Sequence, residues 1–192
     1  MKGSQLTLRQ GVPLLLTLLL ILAQVVPVKA QEAMITDLVV TNTKTDLLTF
    51  FNVENAFTPE LEEGLHHGIA ITFTFEVVME MNRNGWLDKE IYNDSFQHTL
   101  TYDSLKMEYT VERQEHQETR IFNDLATARD FMCEVNSFAV APLAALVADQ
   151  QYLLQVKATL AKNTLPLNFH YVVPFSEFWD LKTEWTSVEF HF

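Results

Sequence analysis

Cysteine is almost absent from this chain of 192 residues, in which Cys133 is the only one. A single thiol excludes a disulfide-stapled scaffold and any zinc or iron–sulfur site built from cysteines. Glycine is scarce as well, at five residues, and the sequence contains no glycine-rich loop that could cradle a phosphate. The Gly-x-Ser-x-Gly and Ser-x-x-Lys motifs are also missing, which removes two common signatures of a serine nucleophile.

Basic residues are few. Thirteen Lys and Arg stand against 25 Asp and Glu, so the formal net charge is −12. Nucleic acids require a basic binding surface, and the composition therefore argues against a nucleic-acid partner. Apolar residues, by contrast, make up 48% of the chain and aromatic residues 11%. That content excludes an intrinsically disordered protein and is enough to build a folded core.

The first thirty residues predict a secretory signal peptide. Lys2 and Arg9 precede an apolar run from Val12 to Val26, which is shorter than the ~20 residues that cross a bilayer core. Val28 and Ala30 fit a small-x-small cleavage site. The alternative is an uncleaved N-terminal anchor, which would then supply any contact with the membrane.

Cleavage after Ala30 would leave residues 31–192 as one exported domain. Because Lys2, Arg9 and Lys29 would be removed, the net charge would move from −12 to −15. An exported domain that is nearly free of cysteine is more typical of the bacterial periplasm than of eukaryotic secretion, since exported eukaryotic domains tend to use disulfides.

Alternation of apolar and polar residues predicts a mainly β fold. From Ile69 to Met81, apolar side chains recur at every second position, which places them on one face only if the chain is extended. Residues 82–85 then predict a turn, followed by a return strand from Trp86. Similar alternation predicts strands at 105–111, 152–160, 165–173 and 188–192, with weaker candidates at 34–41 and 47–53.

Two segments predict short helices. Thr58 is a capping residue followed by Pro59 and an acidic first turn, and this helix is expected to end at Gly68. Asn123 is expected to cap a second helix over 124–135. We therefore predict a mainly β, α+β chain: a single-domain antiparallel β-sandwich or half-barrel with two short packed helices.

Several short stretches, taken in their order along the chain, carry a family resemblance. They are Leu61-Glu62-Glu63-Gly64-Leu65, Gly68-Ile69-Ala70-Ile71, Trp86-Leu87-Asp88, Leu100-Thr101-Tyr102-Asp103-Ser104-Leu105, Tyr109-Thr110-Val111, Leu165-Pro166-Leu167 and Trp179-Asp180-Leu181-Lys182-Thr183-Glu184-Trp185. Their order resembles domain of unknown function family 4390, a family of exported proteobacterial proteins. The resemblance implies a periplasmic protein but assigns no catalytic residue. It also implies a gene encoded near a membrane sensor kinase, and hence a role beside envelope signalling.

Residues with catalytic or metal-binding chemistry form no convincing set. Glu189 and His191 share a strand face that His170 could join, but a solvated polar face is the better interpretation. Cys133 lies among apolar residues of the second predicted helix, so we interpret it as a buried, unreactive thiol. We predict no catalytic residue, no metal and no cofactor.

Aromatic residues crowd the C-terminal part of the chain. Core packing is one interpretation of this crowding. The functional hypothesis is an aromatic-lined groove for a peptide or a lipid, formed by Phe175, Phe178, Trp179 and Trp185.

Taken together, these features favour a non-enzymatic binding or interaction module of the bacterial periplasm, with an envelope protein or a membrane sensor kinase as partner. Two alternatives stay open. Apolar residues at every second position before the terminal Phe192 are typical of a small outer-membrane β-barrel. A periplasmic hydrolase without a recognisable motif is the other.

The aromatic hypothesis makes a prediction for Trp179. If this residue contacts a ligand or partner, Trp179→Ala will weaken binding more than it lowers the melting temperature. A variant that only unfolds would assign Trp179 to the core.

Overall fold

A computed structural model describes residues 32–83, 88–161 and 181–192, in which the strands form two antiparallel sheets. The strands are β1 (Met34–Asn42), β2 (Asp46–Glu54), β3 (Ile71–Met81), β4 (Lys89–Asp103), β5 (Glu108–Arg113), β6 (Glu118–Phe122), β7 (Glu134–Pro142), β8 (Gln151–Leu160) and β9 (Thr186–His191). Two α-helices, α1 (Pro59–His66) and α2 (Leu125–Cys133), and a 3₁₀ turn at Leu143–Ala145 complete the described elements.

The two sheets differ in width. The larger one has the strand order β6-β5-β4-β3-β8-β9 and the smaller one β1-β2-β7. Phe51 of β2 lies against Phe75 of β3 with ring centroids 5.8 Å apart. Phe138 of β7 stacks on Phe96 of β4 at 4.4 Å. The smaller sheet therefore covers β3 and β4, and its edge strand β1 contacts β8 and β9, while α2 contacts β4, β5 and β6.

The centre of the core is β3, whose alternation is the strongest pattern in the sequence. Phe73, Phe75, Val77 and Met79 are fully buried on its inner face. Its neighbours β4 and β8 pair with it along almost its whole length. The mainly β fold with two packed helices is thus confirmed, and of the two predicted arrangements the chain adopts the sandwich.

Both predicted helices are present, with two corrections to the second. Thr58 caps α1 by accepting a hydrogen bond from the backbone N–H of Leu61 at 3.3 Å, as its position before Pro59 predicts. For α2 the cap is Asp124, not Asn123, because the Asp124 carboxylate accepts from the N–H of Thr127 at 2.8 Å. The helix also ends earlier than predicted, at Cys133, because the chain continues directly into β7.

Some strand predictions also need correction. The alternation places Leu105 and Met107 on the buried parity of a strand, but both lie exposed in the turn between β4 and β5. Both β6 and β7 carry too little alternation to be predicted. The strand expected at 165–173 and its Leu-Pro stretch fall outside the described residues.

Within the residues that the structure describes, no helix is long and apolar enough to cross a membrane.

The packing of the sandwich predicts the effect of a core truncation. Phe75 is fully buried between Phe51, Phe96 and His98. We expect Phe75→Ala to lower the free energy of unfolding by about 3–5 kcal/mol because it leaves a cavity between the two sheets. Chemical denaturation measures the decrease, with the exposed Val147→Ala as control. Equal decreases in both variants would contradict this packing.

Candidate functional site

Of the four aromatic residues predicted to form a contact surface, one can be placed. Phe175, Phe178 and Trp179 lie outside the described residues. Trp185 lies just before β9, and 42% of its surface is exposed. The grouping of the four residues thus stays a prediction, and the site is built from Trp185 and its neighbours.

Trp185 belongs to a row of side chains on the outer face of the larger sheet. Val156 and Ala158 point into the core, so Lys157 between them points outward. The Lys157 ammonium lies 5.2 Å from the centre of the Trp185 ring and 3.7 Å from the Glu76 carboxylate on β3. The Lys157 side chain is only 14% exposed. The Lys157 ammonium thus makes a cation–π contact with one face of the indole, while part of the ring remains exposed to solvent.

Hydrogen bonds attach the chain to β8 immediately before Trp185. Thr183 is fully buried; its hydroxyl accepts from the N–H of Ala158 at 3.0 Å, and its own N–H donates to the Ala158 carbonyl at 2.9 Å. The N–H of Leu160 also donates to the Leu181 carbonyl at 2.9 Å. These backbone contacts fix the register with which the chain enters β9, and so place Trp185 beside Lys157.

A second group of polar side chains lies inside the sandwich, at the C-terminal end of α2. His98 of β4 is fully buried, and one ring nitrogen, Nδ1, donates to the Met132 carbonyl at 2.7 Å. The other, Nε2, lies 3.0 Å from a carboxylate oxygen of Glu115, whose side chain is 3% exposed. Since a carbonyl can only accept, Nδ1 carries a proton. A further proton must lie between Nε2 and Glu115, because two facing lone pairs would repel.

Arg113 of β5 satisfies the neighbouring carbonyl of the same helix end. Its guanidinium donates to the Phe131 carbonyl from Nε at 3.1 Å and also from Nη2. It also stacks on the Phe131 ring at 3.4 Å and lies 3.7 Å from the Glu134 carboxylate. Cationic groups near the last carbonyls of a helix complement its dipole and satisfy acceptors that lack an intrahelical partner. The cluster formed by His98, Arg113 and Glu115 therefore caps α2.

Burial and neighbouring groups shift the pKa values of the ionisable groups in this cap in opposite directions. Burial by itself would raise the pKa of Glu115, but the hydrogen bond and the charge of His98 outweigh it and hold the pKa below its ordinary value. Burial lowers the pKa of Arg113, while Glu115 and Glu134 oppose that shift. Arginine nevertheless stays protonated in proteins. The hydrogen bond and the charge of His98 thus keep Glu115 in its carboxylate form.

A comparison with protein families finds one match, to the model described as Domain of unknown function (DUF4390), over residues 30–189. The chain belongs to this family. The resemblance found in the sequence is therefore confirmed. No curated protein and no solved structure gives a significant match to the chain.

Cys133 of this DUF4390 domain is the last residue of α2. Burial raises the pKa of its thiol to about 12, and the nearby Arg129 offsets only part of that rise. The thiol is therefore protonated at neutral pH and a poor nucleophile, in agreement with the interpretation from the sequence.

Of the possible metal-binding set Glu189, His191 and His170, the structure describes the first two. Glu189 accepts a hydrogen bond from the Gln151 amide at 2.7 Å, and His170, its suggested co-ligand, lies outside the described residues. Among the residues that are described, no three His, Cys, Asp or Glu side chains are grouped in a way that could hold a metal ion.

Sequence reasoning missed the polar cap of α2, although one signal was present. His98 shares its strand parity with Phe96 and Leu100, both of which are buried. A histidine in a row of buried apolar residues indicates a satisfied core group. Its partner Glu115 lies in the turn between β5 and β6, a turn that the alternation pattern does not predict.

The lowered pKa of Glu115 predicts a pH-dependent contribution to stability. Because the folded-state pKa lies below the ordinary 4.5 of the unfolded chain, this contribution is complete above about pH 4.5 and disappears as pH falls through the folded-state value. Glu115→Gln should therefore lower the free energy of unfolding by about 1–3 kcal/mol at pH 7. The gap between wild type and variant should shrink towards pH 3.

Urea denaturation at several pH values tests this expectation. Glu112→Gln, at an exposed position of β5, is the control and should leave stability nearly unchanged. A gap between wild type and Glu115→Gln that is the same at pH 3 and pH 7 would show that the Glu115 carboxylate is not held ionised by the fold.

Proposed function

We propose that this DUF4390 domain is a non-enzymatic interaction module of the bacterial cell envelope, exported to the periplasm and binding an envelope protein. The observation that carries the proposal is the exposed Trp185, which Lys157 and Glu76 hold on the outer face of the larger sheet. The family resemblance implies a sensor kinase encoded nearby, and the exported part of such a kinase is therefore the first partner to test.

The setting of Trp185 suits a binding residue for two reasons. Tryptophan is among the residues that most often dominate the energy of protein interfaces. A side chain that is already held before binding also loses less conformational entropy when a partner arrives. The cation–π contact with Lys157 and the backbone anchor at Thr183 both provide such preorganisation.

The structural contacts of His98 and Arg113 and the protonated state of Cys133 support the non-enzymatic part of the proposal. Both ring nitrogens of His98 are committed to structural partners, and Arg113 is committed to the carbonyl of Phe131. A general base needs a free lone pair within reach of a substrate proton, and His98 offers none. The Cys133 thiol is protonated at neutral pH.

Export is tested by fractionating the native host and measuring the mass of the protein. We expect an osmotic-shock fraction that contains a chain beginning at Gln31. A membrane-bound chain that retains Met1 would replace the periplasmic proposal with an N-terminal anchor. A membrane-bound chain cleaved at residue 30 would instead favour the outer-membrane alternative.

Partner contact is tested by substituting Trp185. With a photo-crosslinking residue at the nearby exposed Ser187, we expect wild type to form a discrete adduct in cells. Trp185→Ala should reduce the adduct about tenfold or more, because a buried interface tryptophan contributes about 2 kcal/mol or more. Its melting temperature should fall by only a few degrees, since the substitution removes a single, partly exposed cation–π pair from the fold.

Phe192→Ala is the matched control, because Phe192 is a similarly exposed aromatic residue, at 39%, at the end of the same strand. It should leave the adduct unchanged. Equal adduct yields from both variants would exclude Trp185 from the contact surface. A large drop in the melting temperature of Trp185→Ala would assign the indole to the core instead.

A further inference from the structure

The smaller sheet is apolar on both of its faces. Along β2, Leu47, Thr49, Phe51 and Val53 are buried against the larger sheet, and the residues between them therefore point to the opposite face. Two of these outward residues are Leu48 and Phe50. A strand with apolar residues on both faces is typical of a sheet that is covered on both sides.

The neighbouring strands extend this outer apolar face. Val39 of β1 pairs directly with Phe50, and Ala139 of β7 pairs with Leu48. Val39 is 52% exposed and Ala139 is exposed as well, while Leu48 and Phe50 are half-buried. Neither Leu48 nor Phe50 belongs to the core cluster or to the partly buried residues packed against it. We call these four residues the outer stripe.

The charged residues on the three strands that carry the outer stripe are all acidic. Asp46 and Glu54 stand at the two ends of β2, on the same outer parity as the stripe. Asp37 lies in β1 and Glu134, which pairs with Arg113, lies in β7; none of the three strands contains a lysine or an arginine. Lys44 lies outside them, in the turn between β1 and β2. The stripe is thus an apolar surface with the carboxylates of Asp46 and Glu54 at its two ends.

The acidic residues around the outer stripe favour one kind of binding partner over two others. A second copy of the chain would bring the same carboxylates together, and like charges across an interface oppose association. An anionic lipid surface would be repelled for the same reason. A cationic amphipathic helix matches both features, because its apolar side fits the stripe and its Lys or Arg residues reach the carboxylates.

The dimensions agree with a helix. Asp46 and Glu54 are eight positions apart, which is about 26 Å along an extended strand. A helix of about 17 residues has the same length. We propose that the outer stripe is a docking surface for a cationic amphipathic helix of a partner protein. This surface lies on the smaller sheet and Trp185 on the larger one, and the inference does not depend on the function proposed for Trp185.

The test uses two synthetic 18-residue amphipathic peptides, one of Leu and Lys and one of Leu and Glu, titrated into the purified chain with a fluorescent label. We expect saturable binding of the Leu/Lys peptide that weakens with added salt, and no binding of the Leu/Glu peptide. Val39→Lys and Ala139→Lys should each reduce affinity for the Leu/Lys peptide at least tenfold.

Val147→Lys is the control, because Val147 is 53% exposed in the loop before β8 and undergoes the same change in charge. Glu54→Lys tests the same surface without changing its apolar residues. It should weaken binding of the Leu/Lys peptide more than Glu112→Lys, which makes the same change in charge on the larger sheet. Both lysine variants of the stripe should melt within a few degrees of wild type. Glu54→Lys tests the surface even if one of them unfolds.

Three results would overturn the proposal. Equal effects of Val39→Lys and Val147→Lys would show that the peptide responds only to net charge. A concentration-dependent dimer that Val39→Lys dissociates, measured by light scattering, would assign the stripe to a second copy. Preferential binding to phosphatidylglycerol vesicles would assign it to a lipid surface.

Discussion

The difference in width between the two sheets is the constraint on which the rest of this structure depends. The smaller sheet covers the inner face of the larger one at β3 and β4, where Phe51 meets Phe75 and Phe138 meets Phe96. The inner face of β5 and β6 lies beyond it and needs another cover. The second helix provides that cover with Ala128 and Met132, both fully buried.

That arrangement has an electrostatic consequence. A strand can pass its backbone hydrogen bonds to the next strand, but a helix that ends inside the fold leaves carbonyls without partners. Here the carbonyls of Phe131 and Met132 end beside β4 and β5, and Arg113 and His98 satisfy them. Burying these donors in turn requires carboxylates, which Glu115 and Glu134 supply. The ionisable groups inside this domain thus serve its architecture.

The two outer faces of the sandwich differ in chemistry. The larger sheet presents a held tryptophan beside a lysine–glutamate pair. The smaller sheet presents apolar side chains with carboxylates at the margins. A domain with two chemically distinct surfaces is suited to contact two partners, or two parts of one partner. This is consistent with the proposed role as an envelope interaction module.

Features that could be predicted from the sequence alone are local ones. The alternation of β3 and β8 and the cap at Thr58 each depend on residues that are close along the chain. Contacts that depend on register are set by the tertiary fold. His98 meets Glu115, Lys157 meets Trp185 and Val39 meets Phe50 because particular strands pair at particular positions. The periodicity of one strand does not reveal its register against a neighbouring strand. A shift of that register by one residue would turn every side chain to the opposite face and change all of these contacts.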